Sequence, residues 1–179
     1  YTRLDERATV LGARFADALG APGAVSHFAD LALRYEAGDG WSLGGTMRQG
    51  WTRIGAGGAI NGGGSLRTAG YAFDIGKAGL FDARDSFGLR IAQPLRVTHG
   101  GLDLSLAGEW DYAAGRAGGY RLQRLNLAPT GREIDVEWRY SRPFGPANAD
   151  LNLFWRRDPG NFAALPDDLG VAARLALGF

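Results

Sequence analysis

Apolar and polar residues alternate along most of this chain, and a repeat of two residues is the period of a β-strand. The clearest segment is 133–141, where Ile134, Val136, Trp138 and Tyr140 alternate with charged and small polar residues. A helix would mix these two sets around its circumference, so we predict a strand with one apolar and one polar face.

Similar alternation occurs in other parts of the chain and predicts about eight strands of about ten residues, the length that crosses a bilayer when tilted. The further predicted strands are 29–36, 41–51, 69–75, 87–97, 147–156 and 171–179, with a short first strand around 9–15.

The predicted links between strands also differ in length. Segments 36–40 and 143–146 are short, 77–86 is intermediate, and 53–66, 98–132 and 157–170 are long. Short turns at one end and long loops at the other are typical of outer-membrane barrels. We therefore expect the fold to be all-β, an antiparallel transmembrane β-barrel formed by residues 1–179 as one domain.

Alternation by itself is compatible with a soluble barrel as well as a membrane barrel, since each has one apolar and one polar face. The polar positions carry charges of both signs, which suits a polar lumen, and an Arg facing lipid at the midplane would cost about 2–4 kcal/mol. The predicted lumen-facing charges are Arg90, Arg96, Asp135, Glu137, Arg139, Asp150, Arg156 and Arg174.

Composition narrows the possible functions. The 29 glycines among 179 residues favour tight turns and close backbone approaches. The net charge of +1 gives no reason to expect a nucleic-acid partner, since such partners normally require a basic stripe. The chain has no cysteine for a disulfide or a thiolate site, and it has no run of about 18 apolar residues that would make a transmembrane helix.

The end of the chain resembles the C-terminal signal of outer-membrane barrel proteins, which is a final aromatic residue preceded by apolar residues at alternate positions. Phe179, Leu177, Leu175 and Ala173 match that pattern. The resemblance implies that the barrel assembly machinery inserts this chain into the outer membrane.

A second resemblance covers residues 28–179 and rests on the segments FGLRIAQPLRV (87–97), LNLAPTGRE (125–133) and PDDLG (166–170). These segments resemble the C-terminal translocator domain of autotransporters, whose passenger is often a subtilisin-like serine protease. Such barrels are expected to have twelve strands and a helix through the pore. We therefore expect the chain to be the C-terminal part of that barrel, with the remaining strands before Tyr1.

Motifs for catalysis or cofactor binding are weak in this chain. The segment 40–44 fits G-x-S-x-G but lacks the strand before it and the helix after it that a nucleophile elbow needs. His27 and His99 are the only histidines, and their spacing fits no metal site. Asp167 and Asp168 could bind calcium, but a solvated loop explains them better. We predict no enzyme activity, no cofactor and no metal in this chain.

The resulting hypothesis is an outer-membrane translocator that anchors and exports its own N-terminal passenger by type V secretion. Its expected partners are outer-membrane lipid, the barrel assembly machinery and the passenger. One alternative is a self-contained small barrel that acts as an anchor, an adhesion surface or a narrow pore. Others are a soluble barrel for an apolar ligand and an outer-membrane enzyme.

Overall fold

Strands follow one another along most of the chain in the computed structural model, which describes residues 1–16, 19–20 and 22–177. The strands are β1 (Thr2–Glu6), β2 (Ala24–Gly38), β3 (Trp41–Ile54), β4 (Ile60–Ala78), β5 (Ser86–Ala107), β6 (Trp110–Asp111), β7 (Arg116–Ala117), β8 (Tyr120–Asn126), β9 (Ile134–Phe144), β10 (Ala147–Arg157) and β11 (Asp168–Leu177). A 3-10 helix at Pro159–Asn161 precedes β11. No helix in the described part of the chain is long and apolar enough to cross a membrane.

The strands pair into an antiparallel sheet, as the alternation predicts. Within the described residues, the strand order is β1-β2-β3-β4-β5-β9-β10-β11, and β8 also pairs with β5. Strand β5 is shared: Ser86–Ala92 pairs with β9, whereas Gly101–Ala107 pairs with β8. The all-β antiparallel prediction is therefore confirmed. Closure into a barrel is not observed among the described residues, since β1 and β11 are the two ends of the order.

The chain divides into two compact units, and the long strands contribute residues to both. Unit 1 comprises Tyr1–Ala29, Gln49–Ala69 and Val97–Ala128. Unit 2 comprises Asp30–Arg48, Gly70–Arg96 and Pro129–Phe179. The two units bury different kinds of side chain, and each is described by itself below.

Unit 1 has a hydrophobic core on one face of its strands. The buried members of this core are Val10, Ala24, Ile54, Ile60, Leu66, Leu102 and Leu104. Leu102 is 0% exposed, and burying a side chain of this size contributes about 1.5–3 kcal/mol. Leu11, Phe15 and Leu19 pack against the cluster, so residues from the segment before β2 help to cover it.

The first strand lies earlier than predicted. Residues 9–15 form a turn with a bridge between Val10 and Ala13, and the strand is Thr2–Glu6. Leu11 and Gly12 have positive φ angles of 52° and 80°, and for a leucine this left-handed conformation is typical of a turn and not of a strand. The prediction of a strand at 9–15 was therefore wrong, although Val10 does enter the core.

The predicted loop in the glycine-rich segment 53–66 is also shorter than expected. Strand β3 extends to Ile54 and β4 begins at Ile60. Gly62 and Gly63 have φ angles of 79° and 82°. A Cβ atom at position 63 would overlap the carbonyl oxygen of Ile54. Glycine allows this close approach at a kink within β4, and the lack of side chains there hides the strand from a pattern search.

The predicted long loop 98–132 contains a long hairpin instead. Gly101 to Ala107 of β5 pairs with Asn126 to Tyr120 of β8. Backbone hydrogen bonds between Gly108 and Gly119 and between Gly118 and Glu109 connect this ladder to the small β6–β7 pair. Local turn signals and exposed residues favoured a loop, but the pairing with β8 supplies hydrogen bonds that a loop would lack.

Each unit has a turn that is stabilised by its own buried or partly buried carboxylate. In unit 1, Glu6 accepts hydrogen bonds from the Thr9 hydroxyl and the backbone N–H groups of Leu11 and Gly12 at 2.7–2.8 Å. Burial by itself would raise the pKa of Glu6, but these hydrogen bonds outweigh burial and lower the pKa. The charged form therefore stabilises the turn that carries Val10 into the core.

In unit 2, Asp85 is 2% exposed and closes the turn between β4 and β5. Its carboxylate accepts hydrogen bonds from the backbone N–H groups of Leu80, Phe81 and Asp82 and from the Tyr140 hydroxyl. Burial again acts to raise the pKa of Asp85, and the four hydrogen bonds together lower it below its ordinary value.

Candidate functional site: the two faces of unit 2

The strands β5, β9, β10 and β11 of unit 2 share one register, which places their apolar residues on one face. Residues directly opposite each other on neighbouring strands share a face. The three longest apolar rows are Ile91–Val136–Trp155–Leu169, Leu89–Trp138–Leu153–Val171 and Phe87–Tyr140–Leu151–Ala173. The strand assignments made from alternation at 87–97, 133–141, 147–156 and 171–179 are confirmed for the residues that the structure describes.

Many side chains of this apolar face are exposed. Leu169, Val171 and Leu175 of β11 are 75%, 68% and 67% exposed, and Leu31 and Leu33 of β2 are 58% and 68% exposed. Exposed large apolar patches in proteins mark an interface or a membrane contact. The apolar face of unit 2 therefore needs another molecule or lipid against it.

The opposite face of unit 2 carries the charged residues. Arg90 lies opposite Glu137, Asp135 lies opposite Arg156, and Arg174 lies opposite Asp150. Arg139 is opposite Gly88 and Asn152 on its two neighbouring strands. Seven of the eight charges predicted to share a face are thus brought together by the register.

Arg96 is the eighth predicted charge, and its surroundings differ. Its guanidinium group donates a hydrogen bond to the carbonyl oxygen of Pro129 at 3.1 Å. Pro129 belongs to the segment between β8 and β9, which the sequence did not place beside β5. The pattern of alternating residues gives the position of Arg96 on its strand but not this non-local contact.

Charged side chains on the polar face form ion pairs. Arg156 Nε lies 3.0 Å from Asp135 Oδ1 and 3.3 Å from Glu133 Oε1. Arg90 NH1 lies 3.0 Å from Asp74 Oδ1, and Arg48 pairs with Asp30. The side chains of the pairs Arg90–Asp74 and Arg48–Asp30 are 37–51% exposed, so each of these two pairs contributes about 0–1 kcal/mol. The carboxylates beside Arg156 are less exposed, at 12% for Glu133 and 29% for Asp135. The main effect of the ion pairs is to give the face a polar lining of mixed charge.

A cavity of about 730 Å³ lies on this polar face. The charged residues around it are Arg34, Asp74, Arg90, Glu137 and Arg139. Glycines open part of the space: a Cβ atom at Gly88 would lie 3.4 Å from Arg139 NH2, and one at Gly76 would lie 2.5 Å from the Ser42 hydroxyl oxygen. The cavity can hold water or an extended polar segment.

The residues of the predicted assembly signal are only partly described. Leu177, Leu175 and Ala173 lie on β11 opposite Ala147, Ala149 and Leu151 of β10. They alternate along an exposed strand, as the resemblance implies. Phe179 lies outside the described residues.

The motifs considered for catalysis lie apart from one another. Gly40 is in the turn between β2 and β3, and Ser42 is within β3 with a strand following it. His27 contacts the Tyr1 hydroxyl through Nδ1 at 2.5 Å, and His99 is on β5. Asp167 accepts a hydrogen bond from the Trp155 indole at 3.0 Å. In the described part of the chain, no group of three or more His, Cys, Asp or Glu side chains could hold a metal ion.

No protein-family model, curated protein or solved structure matches this chain.

Proposed function

We propose that this chain is part of an outer-membrane β-barrel that anchors and exports an N-terminal passenger, as an autotransporter translocator does. The observation that carries the proposal is the apolar, exposed face of unit 2 opposite a polar face with mixed charges. In a membrane barrel, lipid covers the apolar face and the polar face lines a lumen. In this proposal the chain itself has no catalytic role.

The alternative of a soluble barrel is less compatible with this arrangement. A soluble barrel turns its apolar face inward and its polar face to water. In unit 2 the cavity lies on the polar side, lined by residues such as Arg34, Arg90 and Glu137. The side with the exposed leucines is the opposite one, so water would face the apolar residues.

The two edges of the sheet in unit 2 favour a barrel larger than this set of strands. Strand β1 pairs only with Ala24–Phe28 of β2, so residues 29–38 of β2 have a neighbour on one side only, among the described residues. β11 likewise has β10 as its only neighbour there. Unpaired backbone groups in lipid cost several kcal/mol each, so a membrane sheet must close. Additional strands would meet this need and favour a translocator over a self-contained small barrel.

The polar face suits an export route for an extended chain. Its Arg and carboxylate side chains differ in sign across neighbouring strands, as with Arg90 opposite Glu137 and Arg156 opposite Asp135, so a passing chain meets no large region of one charge that would trap it. Lipid, the barrel assembly machinery and the passenger are the partners in this proposal, and the outer membrane is its location.

The face assignment can be tested with nitroxide labels, since the chain has no native cysteine. Leu153→Cys and Asn152→Cys place labels on opposite faces of β10. In bilayers, we expect the label at 153 to collide mainly with oxygen and the label at 152 mainly with a water-soluble nickel chelate. Tyr112→Cys, at a residue 90% exposed in the hairpin, is the aqueous control. Chelate access at 153 equal to that at 112 would contradict a lipid-facing position.

The export role needs a separate test on native cells. An antibody against the β11 segment should detect a protein far larger than the 19.1 kDa of this chain in the outer-membrane fraction. Protease added to intact cells should remove the passenger and leave a smaller band with the epitope. A heat-modifiable band near 19.1 kDa with no larger precursor would instead support the self-contained barrel. A purely soluble signal would contradict both.

A further inference from the structure

Unit 1 has a cationic cleft of about 920 Å³. Its lining includes three arginines, two histidines and a tryptophan, which we call the basic cleft: His27, Trp51, Arg53, Arg67, His99 and Arg124. These residues come from β2, β3, β4, β5 and β8, so the paired strands of unit 1 bring them together.

Alternation places the arginines on the side away from the unit 1 core. Arg53 is exposed between the buried Thr52 and Ile54. Arg67 is exposed between two buried neighbours in the same way. Because successive side chains of a strand point to opposite faces, the packing of the core holds both guanidinium groups outward on rigid strands.

The positive charge of the basic cleft is only partly neutralised. Neither Arg53 nor Arg67 forms an ion pair within the part of the chain that the structure describes. Arg124 NH1 lies 3.8 Å from Asp103 Oδ1, and both side chains are more than half exposed. Guanidinium groups bind phosphate oxygens through two parallel hydrogen bonds, which makes a cluster of arginines suited to a phosphoryl group.

A large aromatic side chain lies beside the arginines in the lining of the cleft. Trp51 is 46% exposed in the lining of the cleft. Tryptophan is enriched where a membrane protein meets lipid headgroups. A ligand with a charged head and an apolar tail therefore fits these observations better than a free anion does.

We propose that the basic cleft binds the phosphate headgroup of an anionic membrane lipid, with Arg53, Arg67 and Arg124 as its ligands for the phosphoryl group. This inference rests on the proposed membrane location. Basic residues near a membrane surface each add to the affinity for anionic lipid, and the attraction weakens as salt screens it.

The test uses the full chain in nanodiscs of phosphatidylcholine with a small fraction of phosphatidic acid, whose headgroup is a phosphate monoester. Lipids retained after mild detergent extraction are counted by native mass spectrometry. We expect phosphatidic acid to be enriched around the protein, and Arg53→Gln/Arg67→Gln to reduce that enrichment by about thirtyfold. The matched control is Arg7→Gln/Arg116→Gln, which removes the same charge at two exposed positions outside the cleft and should leave the enrichment unchanged.

Four outcomes would overturn the proposal. Equal loss in the control variant would mean that net charge alone attracts the lipid. If added inorganic phosphate displaces the bound phosphatidic acid as well as added short-chain phosphatidic acid does, the cleft is a free-anion site with no lipid preference. If the protein enters nanodiscs and the nitroxide label at Leu153→Cys contacts lipid, but phosphatidic acid is not enriched, only this inference fails and the proposed function stands. If the protein does not enter nanodiscs, the proposed function fails with it.

Discussion

Unit 1 and unit 2 use the same long strands, but unit 1 buries a cluster of apolar side chains whereas unit 2 leaves much of its apolar face exposed. On β2, the residues buried in unit 1 are Ala24, Ser26 and Phe28, all at even positions. In unit 2, the large apolar residues of β2 are at odd positions and are exposed, as with Leu31 and Leu33. The even positions there include Asp30 and Arg34, on the polar face.

The two units differ in what covers their apolar residues. Unit 1 encloses a cluster of apolar residues in a core of its own, although it also exposes others such as Leu122 and Trp51. Unit 2 leaves its apolar residues exposed, and burying them requires contact with something outside the described chain. The comparison shows that the chemistry of the two faces of one strand can change along its length.

The largest expected effect comes from the unit 1 core. Leu102→Ala removes a fully buried side chain and should lower the free energy of unfolding by about 2–5 kcal/mol. Leu122→Ala, at a residue 69% exposed on β8, should change it by less than about 0.5 kcal/mol. Urea unfolding of protein in detergent measures both. Similar losses in the two variants would mean that unit 1 has no closed core of its own.

The apolar face of unit 2 should respond to charge only when lipid is present. Leu153→Arg should reduce stability in bilayers by about 2–4 kcal/mol if residue 153 lies near the midplane. Leu122→Arg in unit 1 is the matched control and should have little effect. Urea titrations of folding into vesicles provide the measurement. An equal tolerance of arginine at 122 and 153 would remove the contrast between the two units.

The two carboxylates that stabilise turns should give a moderate effect with a defined pH dependence. The pKa of Asp85 lies below its ordinary value of 3.8 when folded. Its contribution is therefore fully present above about pH 4 and is lost as the pH falls through the lower folded pKa. Asp85→Asn should reduce stability at neutral pH by about 1–3 kcal/mol and should weaken the loss of stability in acid.

Glu6→Gln is the corresponding test in unit 1, since the pKa of Glu6 is also lowered when folded. The free energy of unfolding of each variant is compared with that of the parent protein between about pH 2 and 7. An acid dependence that is unchanged in Asp85→Asn would contradict the role of the charged carboxylate in that turn.

The smallest effect is expected on the polar face of unit 2. Arg90→Gln breaks the ion pair with Asp74, but both groups are more than one third exposed, so stability should fall by less than about 1 kcal/mol. A double-mutant cycle with Asp74→Asn at low and high salt measures the coupling. A large coupling that salt does not reduce would mean that this face is drier than a hydrated lumen.

Sequence alternation predicted the strands of unit 2 well, because each strand keeps one apolar and one polar set over about ten residues. The charges at 135, 137 and 139 needed only the period of two to be placed on one face. The register then determined which charges meet, such as Arg156 with Asp135. Pairing across strands is non-local, so no single segment contains that information.

Alternation failed in unit 1 for physical reasons that can be named. Glycines at 62 and 63 supply no side chain to a pattern, although β4 runs through them. The turn held by Glu6 is local, but Val10 is buried in a cluster with residues distant in sequence, such as Ile54 and Leu102. The basic cleft likewise joins residues from strands far apart in the chain.

The order of residues along the chain was thus sufficient for the all-β class and for the two faces of each regular strand, since those depend on a local repeat. Which face is buried was decided by tertiary structure. In unit 1 the hairpin of β5 and β8 and the segment before β2 supply the packing partners of the core. In unit 2 the described chain supplies no such cover for the apolar rows, so the same alternation leaves them exposed.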